Sequence, residues 1–105
     1  MYTDSDSPKR FIWDETKAKK NLRNHGISFD VAKDIFFDPY AIEAYDINHS
    51  GTEDRFKVIG MVNGKILVLV YVEREAEIRI ISARPAGRAE RTHYEENETE
   101  RNQRS

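Results

Sequence analysis

The chain has 105 residues, no cysteine and a formal net charge of −2. This length fits one domain with a core of its own. The lack of cysteine excludes disulfide frameworks, thiolate metal sites and cysteine nucleophiles. Because residues 9–94 carry +2 while residues 1–8 and 95–105 each carry −2, the composition excludes a globally basic nucleic-acid-binding protein but leaves room for a local basic surface.

The first residues are polar and acidic, without the basic start and apolar run of a signal peptide. The longest apolar run, Ile66 to Val72, is too short to span a bilayer. We therefore expect a soluble cytoplasmic protein without membrane contact. We expect its folded domain over residues 11–94, between a flexible N-terminus (1–10) and a polar acidic tail (95–105).

The N-terminal part of the chain predicts a short strand followed by two helices. An apolar strand candidate covers residues 11–13. Asp14 can cap a helix over residues 15–25, and Ser28 can cap a second helix that carries an apolar stripe. This second helix should end before Pro39, because proline disfavours helical conformation in the residue that precedes it.

From residue 40 the apolar period changes from helical to alternating, which is typical of strands. Asn63-Gly64 is a strong signal for a type I′ hairpin turn. A polar helix is then expected over residues 88–100. The element order β–α–α–β–β–β–β–α predicts an α+β fold, with two N-terminal helices packed on one face of an antiparallel sheet and a C-terminal helix. The four later strands are expected at residues 41–46, 55–62, 66–72 and 77–83.

Several arginines lie within or at the ends of the predicted strands. Arg79 and Arg84 belong to the last strand, Arg55 opens the strand before the hairpin, and Arg74 ends the central one. We expect them to converge on the sheet face that the helices leave uncovered, where guanidinium groups suit phosphate. The alternative is that Arg79 and Arg84 pair across strands with Glu53, Glu73, Glu75 or Glu77.

Several separated motifs, taken together in their order and spacing, resemble the BrnT ribonuclease toxins of bacterial type II toxin–antitoxin systems. The resemblance covers about residues 11–94. The motifs are Phe11-Ile-Trp-Asp14 with Lys17 and Asn21, His25-Gly-Ile-Ser-Phe29, Phe37-Asp-Pro39, Glu53-Asp-Arg-Phe56 with Ile59-Gly60, Ile78-Arg-Ile-Ile-Ser-Ala-Arg84, Ala86, Glu90-Arg91 and Tyr94.

The resemblance implies a RelE-like fold and an endoribonuclease that cleaves RNA without a metal or other cofactor, so that translation and growth are inhibited. It also implies a DNA-binding, BrnA-like antitoxin as partner, commonly in a complex of two toxins and two antitoxins that reaches operator DNA only through the antitoxin. The alternative is a catalytically inactive, toxin-like module that acts as antitoxin partner and transcriptional co-repressor.

The resemblance also suggests roles for individual residues. Transition-state and phosphate roles fall to Arg79, Arg84 and Arg55, and His25 or Glu53 is the candidate proton acceptor. Alternatively, His25 is a favourable cation at a helix C-terminus, and Tyr94 anchors the last helix on the sheet. RNA contacts are expected from Lys17, Arg74, Arg88, Arg91 and Tyr94. By analogy with RelE-type sites, Tyr94 would stack on a base or act in proton transfer.

Overall fold

The computed structural model describes residues 9–46 and 53–104. Most of the predicted flexible N-terminus, residues 1–8, therefore lies outside the described residues. Those described form β1 (Arg10–Ile12), α1 (Glu15–His25), α2 (Phe29–Ala32), a 3₁₀ segment (Lys33–Phe37), β2 (Ile42–Tyr45), β3 (Phe56–Val62), β4 (Lys65–Arg74), β5 (Glu77–Pro85) and α3 (Arg88–Arg104).

The five strands form one sheet in the order β1-β5-β4-β3-β2. The predicted antiparallel meander from β2 to β5 is confirmed. The prediction of a wholly antiparallel sheet is wrong, because β1 pairs with β5 in parallel, with Phe11 opposite Ile78. The sheet is therefore mixed, and the class remains α+β. The apolar residues that indicate β1 carry no information about the direction of the strand with which it pairs.

Local signals set the ends of the first helices as predicted. The side chain of Asp14 accepts a hydrogen bond from the N–H of Thr16, and Gly26 ends α1 at a φ of 70°. The side chain of Ser28 caps α2 through the N–H of Val31. The predicted second helix is nevertheless interrupted, because after Ala32 the chain tightens into the 3₁₀ segment, a common way to close a helix.

The hairpin prediction is confirmed by backbone geometry. Asn63 and Gly64 connect β3 to β4 with φ values of 50° and 81°. A type I′ turn requires positive φ at both positions, which asparagine and glycine tolerate best. The turn fixes the register of the two central strands, in which Lys57 lies opposite Val70.

Helices pack on both faces of the sheet. The core face, covered by α2 and the 3₁₀ segment, buries side chains such as Ile35, Val58 and Leu69. On the opposite face, here called the open face, α3 is anchored by Tyr94 over Val68. Helix α3 runs past its predicted end at residue 100 to Arg104, so most of the acidic tail is helical. No helix in the described part of the chain is long and apolar enough to cross a membrane.

A buried amide completes the edge of the sheet next to β1. Asn21 on α1 is 7% exposed. Its Nδ2 donates to the carbonyl oxygens of Ala83 at 2.8 Å and Ile27 at 3.0 Å. Its Oδ1 accepts from the N–H of Ala83 at 3.1 Å. Asn21 thus satisfies both backbone groups of Ala83 beyond the point where β1 ends.

Candidate active site

Helix α3 leaves part of the open face uncovered. The strand register places Ala44, Lys57, Val70 and Ser82 in one row across β2 to β5. Side chains alternate between the two faces of a strand. Since the neighbours of Lys57 along β3 pack into the core, this row faces the open side.

A β-bulge brings the two arginines of β5 to the same face. Strict alternation would put Arg79 and Arg84 on opposite faces, because they are five residues apart. Tyr71 pairs with Ile80 and Val70 pairs with Ser82, so that Ile81 has no partner on β4. This extra residue shifts the alternation by one position. Arg84 therefore lies on the same face as Arg79.

The uncovered part of the open face is a depression of about 380 Å³. Its lining includes three cationic side chains and one acidic side chain, and Ile81 of the β-bulge also belongs to it. We refer to this candidate site as the catalytic depression. It is lined by Asp46, Arg55, Lys57, Val68, Val70, Ile81, Ser82 and Arg84.

Arg84 is held by Glu90 on the first turn of α3. Its Nη1 and Nη2 donate to the two carboxylate oxygens of Glu90, each at 2.8 Å. Oε1 of Glu90 also accepts from the N–H of Gly87 at 2.7 Å. The hydrogen bond from Arg84 is the main reason that the pKa of Glu90 falls to about 2. The same hydrogen bond raises the pKa of Arg84, so the pair is ionised at physiological pH.

Arg79 and Arg74 both bind Glu53. Nη2 of Arg79 donates to both carboxylate oxygens of Glu53 at 2.7 Å, and Nη2 of Arg74 contacts one of them at 3.2 Å. Partial desolvation acts to raise the pKa of Glu53, but the two guanidinium groups outweigh it and the pKa is lowered. The alternative interpretation, in which Arg79 pairs with Glu53, therefore describes this conformation, although Glu53 precedes β3 and does not lie within a strand.

His25 lies in a different depression from Arg84. This second depression has a volume of about 480 Å³, and its lining includes His25, Lys65, Arg91 and Glu95. His25 is the last residue of α1 and is exposed, which also fits a cation at a helix C-terminus. The structure thus brings His25 and Arg91 together, and neither His25 nor Glu53 lines the catalytic depression.

The remaining predicted RNA contacts are dispersed. Lys17 is exposed on α1, and Arg88 is exposed at the start of α3.

Tyr94 is only 1% exposed, and its hydroxyl donates to Oδ2 of Asp38 at 2.6 Å. Burial and this carboxylate raise the pKa of Tyr94. The alternative interpretation of Tyr94 as the anchor of α3 is confirmed, and its buried ring cannot stack on a base in this conformation.

Three polar residues of the catalytic depression were not selected from the sequence: Asp46, Lys57 and Ser82. A signal for Lys57 was present, because it alternates with the apolar Phe56 and Val58 in a strand whose other side faces the core. Ser82 carries no such signal, because its orientation depends on the β-bulge at Ile81.

Comparison with protein families gives a match over most of the chain. The family described as "Ribonuclease toxin, BrnT, of type II toxin-antitoxin system" matches residues 13–90, which is most of the chain and includes every residue that lines the catalytic depression. No curated protein matches the chain.

Proposed function

Because the chain belongs to the BrnT family of ribonuclease toxins of type II toxin–antitoxin systems, we propose that it is a metal-independent endoribonuclease whose site is the catalytic depression. Its RNA cleavage would inhibit translation and growth. The observation that carries this proposal is the depression itself, whose lining contains the cations Arg55, Lys57 and Arg84 and a single carboxylate, Asp46.

The cations of the depression suit a phosphodiester and its transition state. In RNA cleavage by the adjacent hydroxyl, the 2′-oxygen forms a bond to phosphorus and the bond to the 5′-oxygen breaks. Negative charge accumulates on the nonbridging oxygens in the transition state, and fixed cations stabilise it. Arginine side chains can supply this stabilisation without a metal. The products are a 2′,3′-cyclic phosphate and a 5′-hydroxyl.

Proton transfer in this proposal uses water. Glu53 is a poor proton acceptor while two guanidinium groups stabilise its carboxylate. His25 lines the second depression. Hydroxide from solvent therefore takes the proton of the 2′-hydroxyl, and water returns one to the 5′-oxygen. The rate should then rise steadily with pH, and His25→Ala and Glu53→Gln should leave this rise unchanged. A bell-shaped profile of the wild type that loses one limb in either variant would instead assign proton transfer to the residue that was changed.

Membership of a type II system implies an antitoxin partner. We propose that this partner is a BrnA-like, DNA-binding protein and that two toxins and two antitoxins assemble. Operator DNA would be contacted through the antitoxin. A mass measurement on the co-expressed pair tests the stoichiometry.

One observation favours a second function. Arg79 and Arg84 are both engaged by carboxylates, as expected if the arginines are structural and the protein is a catalytically inactive partner and co-repressor. In that case the purified chain binds the antitoxin but does not cleave RNA.

The deciding experiment is RNA cleavage by the purified chain in excess EDTA, together with its inducible expression without antitoxin. We expect cleavage with cyclic phosphate ends and growth arrest, and we expect Arg84→Ala to slow cleavage to a low but measurable rate and to relieve the arrest. Arg23→Ala is the matched control, because Arg23 is an exposed arginine on α1. A folded wild-type chain that leaves RNA intact and growth unaffected would refute the catalytic proposal and favour the co-repressor. Cleavage that stops in EDTA would refute metal independence alone.

A further inference from the structure

Glu90 leaves one edge of the Arg84 guanidinium available. A guanidinium has five N–H donors in a rigid planar fork. In Arg84, Glu90 takes one donor from each terminal nitrogen, and the carbonyl of Pro85 accepts another from Nη1 at 3.2 Å. Nε–H and the second N–H of Nη2 remain without an acceptor among the described residues. These two donors lie on the same edge, which is a bidentate site for an oxyanion.

Glu90 is itself held in place, so it can fix the guanidinium. Its Oε1 accepts from the N–H of Gly87 just before α3, in the manner of the glutamate of a capping box. The helix is anchored in turn by the buried Tyr94 and its hydrogen bond to Asp38. Side-chain exposures of 22% for Glu90 and 42% for Arg84 show that the carboxylate is the more covered partner while the guanidinium still reaches solvent.

From this geometry we infer that Glu90 is a positioning residue of the ribonuclease site: it holds Arg84 by one edge and presents the Nε–Nη2 edge to the scissile phosphodiester of RNA. The inference rests on the proposed function. A fixed guanidinium meets the developing charge without first losing side-chain freedom, which is the advantage of a preorganised site. Nothing in this role requires Glu90 to exchange a proton.

The contact between Glu90 and Arg84 also has a competing consequence, because the carboxylate neutralises the charge of the guanidinium. If the carboxylate of Glu90 mainly cancels the charge of Arg84, removing that charge should tighten RNA binding and leave the rate constant unchanged or higher. If Glu90 positions Arg84, removing it should slow the chemical step while RNA still binds. The two effects therefore differ in sign and in the kinetic constant that they change.

The test is steady-state cleavage of a short RNA by Glu90→Gln, Arg84→Ala and the double variant. The glutamine of Glu90→Gln can still accept from Gly87 N–H but cannot hold both terminal nitrogens of Arg84 as a charged acceptor. We expect kcat to fall roughly 10- to 100-fold with KM changed less than about threefold. We expect no further loss when Glu90→Gln is added to Arg84→Ala, because Glu90 acts only through that guanidinium. Glu90→Asp should restore part of the rate.

Glu96→Gln on α3 is the matched control, since Glu96 is exposed and should leave kcat unchanged. Far-UV circular dichroism and thermal unfolding check that each variant is folded. If Glu90→Gln does not fold, Glu90→Asp is measured in its place. Its kcat should then be measurable but lower than that of the wild type. The pH–rate profile should keep its shape in either variant.

The outcomes separate this inference from the proposed function. Full activity of Arg84→Ala, or no activity of the folded wild type, overturns the proposed site and this inference with it. Loss of activity in Arg84→Ala together with an unchanged kcat in Glu90→Gln overturns only the positioning role. A lower KM with an undiminished kcat identifies Glu90 as a competitor of RNA, and additive losses in the double variant show that Glu90 does not act through Arg84.

Discussion

The hydroxyl of Tyr94 should contribute measurably to the stability of the fold. It donates to Oδ2 of Asp38 at 2.6 Å, and the same oxygen accepts the N–H of Met61 at 2.8 Å. Tyr94→Phe keeps the ring and removes only this donor. A hydrogen bond to a charged acceptor contributes about 1.5–3 kcal/mol when one partner is lost. Because Asp38 keeps its backbone donors, we expect a loss near the lower end, about 1.5–2 kcal/mol.

Urea and thermal unfolding measure this loss. For a domain of this size it corresponds to a fall in Tm of roughly 6–12 °C. Tyr45→Phe is a matched control, because Tyr45 also donates to an aspartate, Asp54 at 3.0 Å, but is 46% exposed. Exposed hydrogen bonds and ion pairs contribute little, so we expect less than about 0.5 kcal/mol there. Equal losses of stability in Tyr94→Phe and Tyr45→Phe would refute the reasoning that burial makes the Tyr94 hydrogen bond the stronger of the two.

The stabilities of the wild type and of Tyr94→Phe should also differ in their dependence on pH. The folded state raises the pKa of Tyr94 above its ordinary value of 10.0, so it binds the phenolic proton more tightly than the unfolded state does. The stability margin of the wild type over Tyr94→Phe should therefore be complete below pH 10 and decrease as the pH rises above it. A margin that stays constant between about pH 9 and 11 would contradict this assignment.

Three further changes test the packing and the charges. In Gly60→Ala the new Cβ would lie 2.6 Å from Cγ1 of Ile35, so we expect a loss of about 1–3 kcal/mol in urea unfolding, and an unchanged midpoint would refute this contact. Asn21→Leu leaves the N–H and C=O of Ala83 without the hydrogen bonds from Asn21 and should lower the free energy of unfolding by about 3 kcal/mol. Asn24→Leu on the exposed side of α1 should change it little. The pKa of Glu90 falls from 4.5 to about 2, so the extra stability of the wild type over Glu90→Gln should be about 1–2 kcal/mol above pH 4.5 and disappear as the pH approaches 2.

The parts of the fold that depend on nearby residues were predictable from the sequence. The cap at Asp14, the glycine that ends α1 and the hairpin at Asn63-Gly64 are signals contained within a few residues. The parallel direction of β1 was not predictable, because it depends on which edge of the finished sheet is open. The change from α2 to the 3₁₀ segment was missed for a related reason, since an apolar stripe fits both kinds of helix.

The candidate site was predictable only in part. The arginine-containing strands indicated a cationic face, and Glu53 was already a possible partner. The placement of Arg79 and Arg84 on one face depends on the bulge at Ile81, which the alternation pattern does not reveal. The pairing of Arg84 with Glu90 depends on how α3 begins after β5, a geometry that no residue pattern in either element specifies.

The parallel pairing of β1 with β5 determines when the molecule can be completed during synthesis. Phe11 is made before its neighbour in the sheet, Ile78, which follows 67 residues later. At 5–20 residues per second this interval is roughly 3–13 s, and contacts of such long sequence separation also form slowly. Arg84 is made later still. A nascent chain therefore has neither the pairing of β1 with β5 nor both arginines of β5 until Arg84 has been made.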